Sequence, residues 1–135
     1  MRRPRWPADR RKPVTDALLN KLCREYVVAH RDCNTCQRCG TGPPHQIQWC
    51  HVLTRTHKWA QWNPLASLAL CATDHFWFDS RKGTLARPSE GLAWWMEKFP
   101  DRAQALMVLY ATKRRPKLDR EALRMWLEQQ LGRTP

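Results

Sequence analysis

Apolar residues recur every three to four positions at both ends of this chain and alternate briefly in the middle. Leu18, Leu19, Leu22, Tyr26 and Val27 share one face of a helix predicted over residues 16–30, with Thr15 placed to cap its first turn. Cys23 falls beside that stripe and reads as a buried thiol. The helical period returns over residues 90–99, 101–112 and 120–131, opened by Ser89, Pro100 and Asp119, and Gly132 closes the last of these helices. Trp94, Trp95, Leu106, Leu109, Leu123, Trp126 and Leu127 stand at core-like spacing on them.

Between these helical regions, residues 46–54 alternate, putting Ile47, Trp49 and His51 on one side of a predicted strand. A second short strand is predicted over 65–70 and a short helix over 73–80, with Phe76 and Trp77 assigned to the core. Residues 32–44 are rich in Gly, Pro, Asn and Thr, the composition of a turn. The expected fold class is therefore α+β, with an N-terminal helix and about three C-terminal helices. Residues 1–13 read as a basic flexible arm, 14–83 as the core, and 84–135 as a helical extension packed on it, one domain overall.

Charge changes the picture more than length does. Twenty-four Lys and Arg against twelve Asp and Glu give a formal charge of +12 over 135 residues, which points to a polyanionic partner, nucleic acid above all. No run approaches the roughly 20 apolar residues that span a bilayer, and the basic N-terminus lacks the apolar stretch of a signal peptide. A cytoplasmic location with no membrane partner is expected. Reduced thiols in that compartment favour metal binding over disulfides.

Cys36-x-x-Cys39 in its Gly-rich turn has the spacing at which two thiolates converge on one tetrahedral ion. Some thirty residues on, Cys71-x-x-Asp74 supplies a second half-site with oxygen where a second thiolate is usual. Zinc held by Cys36, Cys39, Cys71 and Asp74 is one reading of the set. Two alternatives stand beside it. Cys33 is a rival fourth ligand, and Asp74 is a plain cap for the helix that follows.

With those half-sites in place, Cys50-His51-Val52-Leu53-Thr54-Arg55, Trp62-Asn63 and Leu70-Cys71-x-x-Asp74-His75 complete a pattern. Over about residues 30–80 the chain resembles the zinc-knuckle HNH endonucleases, most of all those carried by bacteriophages. The resemblance implies a zinc-stabilised ββα-metal core and a metal-dependent endonuclease that hydrolyses phosphodiester bonds in DNA. It implies His51 as the base that activates water, Asn63 as the residue orienting that base, and His75 as ligand of a catalytic ion. Asp79 lies four residues after His75, on the same helix face, and with it suits Mg²⁺, Mn²⁺ or another divalent ion. The alternative for Asp79 is a solvent-facing acid near Arg81 and Lys82.

The chain departs from the family at Cys50, where an Asp or His ligand is common. A thiolate is a poor Mg²⁺ ligand, so the metal here is softer or the position contributes nothing. Arg55, His57, Lys58, Arg81 and Lys82 are candidate phosphate contacts, Arg55 matching the family's Arg. Trp59 and Trp62 read either as base-stacking rings or as packing beneath the loop. Two rival functions remain in view: a noncatalytic zinc module that binds nucleic acid, and an accessory protein of phage DNA processing. For Trp94, Trp95 and Trp126 of the helical last third two readings stay open, packing of the helices on the core or a surface for a homodimer or a phage DNA-processing partner.

Overall fold

The computed structural model describes residues 13–54, 57–115 and 117–133. Among them are five α-helices and one two-stranded antiparallel sheet, in agreement with an α+β chain. No helix among the described residues is long and apolar enough to cross a membrane. Arg55 and nearly all of the N-terminal arm lie outside the described residues.

Helix α1 spans Asp16–Arg24, and the Thr15 side chain accepts a hydrogen bond from the Leu18 amide at 3.1 Å. Asp16 in its first turn and Lys21 and Arg24 in its last suit the helix dipole. The helix predicted to run to residue 30 changes its winding instead. From Glu25 to Arg31 the turns widen, and the Asp32 amide donates to the Val27 carbonyl five residues back. Tertiary bonds account for the change. Arg31 pairs with Asp32 at 3.0 Å and donates to the carbonyls of Pro64 at 2.6 Å and Ser67 at 2.7 Å. The buried Asp32 carboxylate in turn accepts the Ala69 amide at 2.9 Å.

Strand β1 (Ile47–His51) pairs with β2 (Ser67–Cys71), Ile47 opposite Cys71 and His51 opposite Ser67. Both are shorter than the hydrophobic pattern predicts. After His51 the chain turns inward to bury Val52 and Leu53. Before Ser67, Pro64 opens a tight helical turn over Pro64–Ala66, because its fixed φ suits the first helical position. Helix α2 (Ala72–Ser80) follows β2 directly.

Helices α3 (Glu90–Lys98) and α4 (Pro100–Ala111) pack on the sheet and α2, so Leu68, Leu70, Phe78, Leu92, Trp95 and Leu106 share one core. Truncating one of these fully buried leucines to Ala costs about 2–5 kcal/mol. Gly91 makes the α2–α3 approach possible: a Cβ there would meet the Phe78 and Arg81 carbonyl oxygens at 3.0 Å. A second cluster joins Leu127 of α5 (Arg120–Gln130) to Leu19, Leu22 and Cys23 of α1. Burial there pushes the Cys23 thiol up to about 12 and keeps it inert, as the sequence pattern suggested.

Two aromatic assignments are corrected. Phe76 is 76% exposed and Trp126 is 40% exposed. Residues two apart on a helix point nearly opposite ways, so Phe76 and Phe78 cannot both face the core, and Phe78 takes it.

Candidate active site and metal centres

The turn after Asp32 and the start of α2 bring four potential ligands together. One ligand atom each from Cys36, Cys39, Cys71 and Asp74 lies within 4.8 Å of all the others. Cys71 is the N-cap of α2, its sulfur accepting the Asp74 amide at 3.5 Å. The cap role considered for Asp74 therefore belongs to Cys71. The Asp74 carboxylate turns into the cluster instead, 3.2 Å from Cys36 Sγ and 3.5 Å from Cys71 Sγ.

Asp74 is buried and tied on its other oxygen to Arg38 at 2.7 Å, with the Arg38 guanidinium stacked 3.7 Å from the Trp77 ring centre. Burial works to raise its carboxyl pKa, but bonds from Cys36, Arg38, Cys39 and Cys71 outweigh it and hold it below the usual range. The thiols are pushed in opposite directions. Burial raises Cys36 to about 11 against its backbone amide bonds, while the Thr41 hydroxyl and amide lower Cys39. Cys33 stands outside this group, exposed at φ 55° with its sulfur over the His30 and Arg31 carbonyls.

A second group forms across the sheet. Cys50 of β1 and His75 and Asp79 of α2 also offer ligand atoms within 4.8 Å of one another. His75 Nδ1 lies 2.7 Å from Gln48 Oε1, and Nε2 lies 3.0 Å from Asp79 Oδ2. Nδ1 donates to the Gln48 oxygen, which leaves Nε2 on the Asp79 side, where a proton or a cation would join the two. Lys82 reaches the other Asp79 oxygen at 3.1 Å, so the acid sits among cations as one reading held, and beside His75 as the other held. Cys50 is fully buried, and its thiol is driven far above the ordinary range by burial and by the Asp79 charge, against the pull of Lys82.

His51, His75 and Asp79 line one cleft of about 840 Å³. His51 Nε2 stands 3.1 Å from the Gln61 carbonyl oxygen, and Trp49 leans on its ring at 4.2 Å between centres. A carbonyl only accepts, so a neutral ring bonded to it carries its proton on Nε2 and its lone pair on Nδ1. Asn63 does not line that cleft. Its Oδ1 accepts the Leu65 amide at 3.0 Å and its backbone bonds Ala60 and Ala66, which holds the connection carrying Gln61.

Family models, curated proteins and solved structures offer no match to this chain. The chemistry of the site must then be read from its own residues.

Among the candidate phosphate contacts, Lys82 lines the cleft. Arg81 pairs with Glu90 at 3.1 Å on the surface, His57 packs edge-on against Trp59 and Tyr110, and Lys58 projects to solvent away from the cleft. The opposite wall comes from residues passed over in the sequence: Ala17, Asn20, Lys21 and Arg24 of α1. Their i, i+3, i+4, i+7 spacing is a polar face with the same period as the apolar stripe, and that was the signal to follow. Gln48 and Arg38, which orient His75 and Asp74, carried no signal of their own.

Proposed function

We propose that this chain is a metal-dependent HNH endonuclease that hydrolyses phosphodiester bonds in DNA. The observation that carries the reading is the meeting of His51 with His75 and Asp79 in one cleft walled by Lys21, Arg24 and Lys82, with the buried Cys50 sulfur within ligand distance of the pair.

The first cluster fits a structural zinc ion. Tetrahedral zinc with sulfur bonds of about 2.3 Å holds its thiolates about 3.8 Å apart. Cys39 Sγ and Cys71 Sγ are 3.8 Å apart, and Asp74 offers the fourth position through oxygen. The donors of this site all come from the protein, which is the mark of a structural site.

The second group fits a catalytic ion with an imidazole and a carboxylate as its outward donors. A Mg²⁺, Mn²⁺ or softer divalent ion there supplies Lewis-acid stabilisation of the phosphate's developing charge. Cys50 beside them favours the softer end of that range. Gln48 holds the His75 tautomer that presents Nε2. Lys21, Arg24 and Lys82 draw the phosphate backbone into the cleft, and His51 takes the proton of the attacking water. Gln61 fixes the ring for that transfer, and Asn63 fixes the connection that carries Gln61.

One observation favours a second reading. Cys50 is fully buried and does not line the cleft, which suits a noncatalytic zinc module that binds nucleic acid. Supercoiled-plasmid cleavage separates the two. The wild-type protein and His51→Ala are each assayed with chelator, Mg²⁺, Mn²⁺ or Ni²⁺. Nicking that needs an added ion and disappears in His51→Ala supports the nuclease. Plasmid retarded on the gel but intact under every ion overturns it and leaves the binding module.

A further inference from the structure

The connection that carries Gln61 lines a second cavity with its other residues. Trp59, Trp62 and Asn63 border a space of about 500 Å³, closed by Tyr26, Trp126 and Arg102. That volume is within the range of small-ligand pockets, and four aromatic side chains wall it.

The charge of this cavity is one-sided. Among the described residues that line it there is no acidic side chain. Outside the lining, the guanidinium of Arg115 lies 4.5 Å from the Trp59 ring centre, and that of Arg120, held by Asp16 and the Val14 carbonyl, lies 5.0 Å from the Trp62 ring centre. Arg31 lines the cavity but is committed to Asp32 and two backbone carbonyls. Arg102 is different. Its guanidinium stacks on Phe99 at 4.3 Å, yet its Nη1 is buried without a hydrogen-bond partner among the described residues. Burial and the like charge of Arg31 both make that cation costly to hold. Of the buried unpartnered polar atoms among the described residues, it is the one that carries a charge and belongs to a residue lining this cavity, so a bound anion would complete it.

We propose that this cavity binds an unpaired nucleotide of a single-stranded nucleic acid. The base stacks against the part-exposed Trp126 ring and its aromatic neighbours, and the phosphate accepts from Arg102. Aromatic walls take any base by its π-face, while the guanidinium supplies the anion's partner. Because one connection borders both cavities, a strand leaving the cleft has an anchoring point for a base that is not paired. The inference rests on nucleic acid as the partner but not on cleavage.

The test uses the His51→Ala chain in zinc-replete buffer, so binding is read whether or not the wild type cuts. Fluorescence anisotropy measures affinity for a short labelled oligothymidylate and for a blunt duplex of equal length. Arg102→Gln and Trp126→Ala are each added, with Trp126→Phe as the variant that keeps a ring, and thermal unfolding confirms that each is folded. The expected result is a loss of about tenfold or more for the single strand with Arg102→Gln, which removes the phosphate's partner, and with Trp126→Ala, which removes the stacking ring. Duplex affinity changes less than about twofold, and Trp126→Phe recovers most of the single-strand binding. Unchanged oligothymidylate affinity in both variants overturns the proposal. Equal losses for single strand and duplex overturn it too, since they mark a general basic surface. Intact plasmid together with selective single-strand loss would reject the nuclease reading and keep this one.

Discussion

The two ligand groups share helix α2 and differ in almost everything else. Cys71 and Asp74 lead its first turn toward the Cys36–Cys39 turn, whereas His75 and Asp79 face the cleft and meet Cys50 across the sheet. The first group offers four donors, a full tetrahedral set, where the second offers three, and its Asp74 is buried and clamped by Arg38. In the second, the imidazole and carboxylate border open space, with His51 on the same wall. A site that closes on its ion holds a fold together. One that leaves a position open can act on something else. On the proposed reading, one turn of helix divides stability from chemistry.

Breaking the first group has the largest expected effect. Cys71→Ala removes both a ligand and the cap of α2, and loss of a structural zinc site removes binding free energy on the order of 10 kcal/mol. The expected outcome is loss of the cooperative thermal transition, read by circular dichroism, and chelator treatment of the wild type should do the same. Retention of the wild-type Tm in either case would contradict a structural role.

Breaking the second group should leave the fold intact. His51→Ala and His75→Ala are each expected to lower plasmid nicking by about 10²–10⁴-fold, with Tm within a few degrees of wild type. Equal losses of Tm in the two groups would erase the distinction between them. Gln48→Ala is a finer probe, because it leaves all three donors in place and removes only the oxygen facing His75 Nδ1. Catalytic-ion affinity, measured by titrating activity, should fall about 10–100-fold. The smallest effect belongs to the cleft wall. Lys21→Ala should lower the log–log salt slope of DNA binding by about 0.9, while the outward-facing Lys58→Ala leaves it unchanged.

How much of this was legible in the sequence follows the same division. The first group is written locally, as Cys36-x-x-Cys39 and Cys71-x-x-Asp74, because metal spacing constrains neighbouring positions. Asp74 lies in the group and Cys33 does not, a choice that spacing alone left open. The second group needs the strand register that sets Cys50 opposite Leu68 and Gln48 opposite Leu70, and no local pattern carries a register. His75 and Asp79 were readable as a helical pair, but the oxygen that orients His75 was not.

The Arg31–Asp32 clamp was illegible for another reason. Its partners are mostly backbone groups of Pro64, Ser67 and Ala69, which any residue supplies, so nothing in those side chains announces it. Its consequence is a helix whose last turns widen where the apolar stripe predicts a regular continuation. The polar face of α1 was readable in principle, since Asn20, Lys21 and Arg24 repeat with the helix period, yet a basic chain offers many such residues. Only the fold shows which of them meet the cleft.

The central claim is that one ion holds the fold and another, at a separate site, serves the chemistry. Counting metal ions per chain by native mass spectrometry, after loading wild type and a His75→Ala, Asp79→Ala double variant with Co²⁺, tests it most directly. The account predicts two ions in the wild type and one in the variant, with the same Tm for both. A single ion in each protein, or a variant that loses both ions and its fold together, would contradict it.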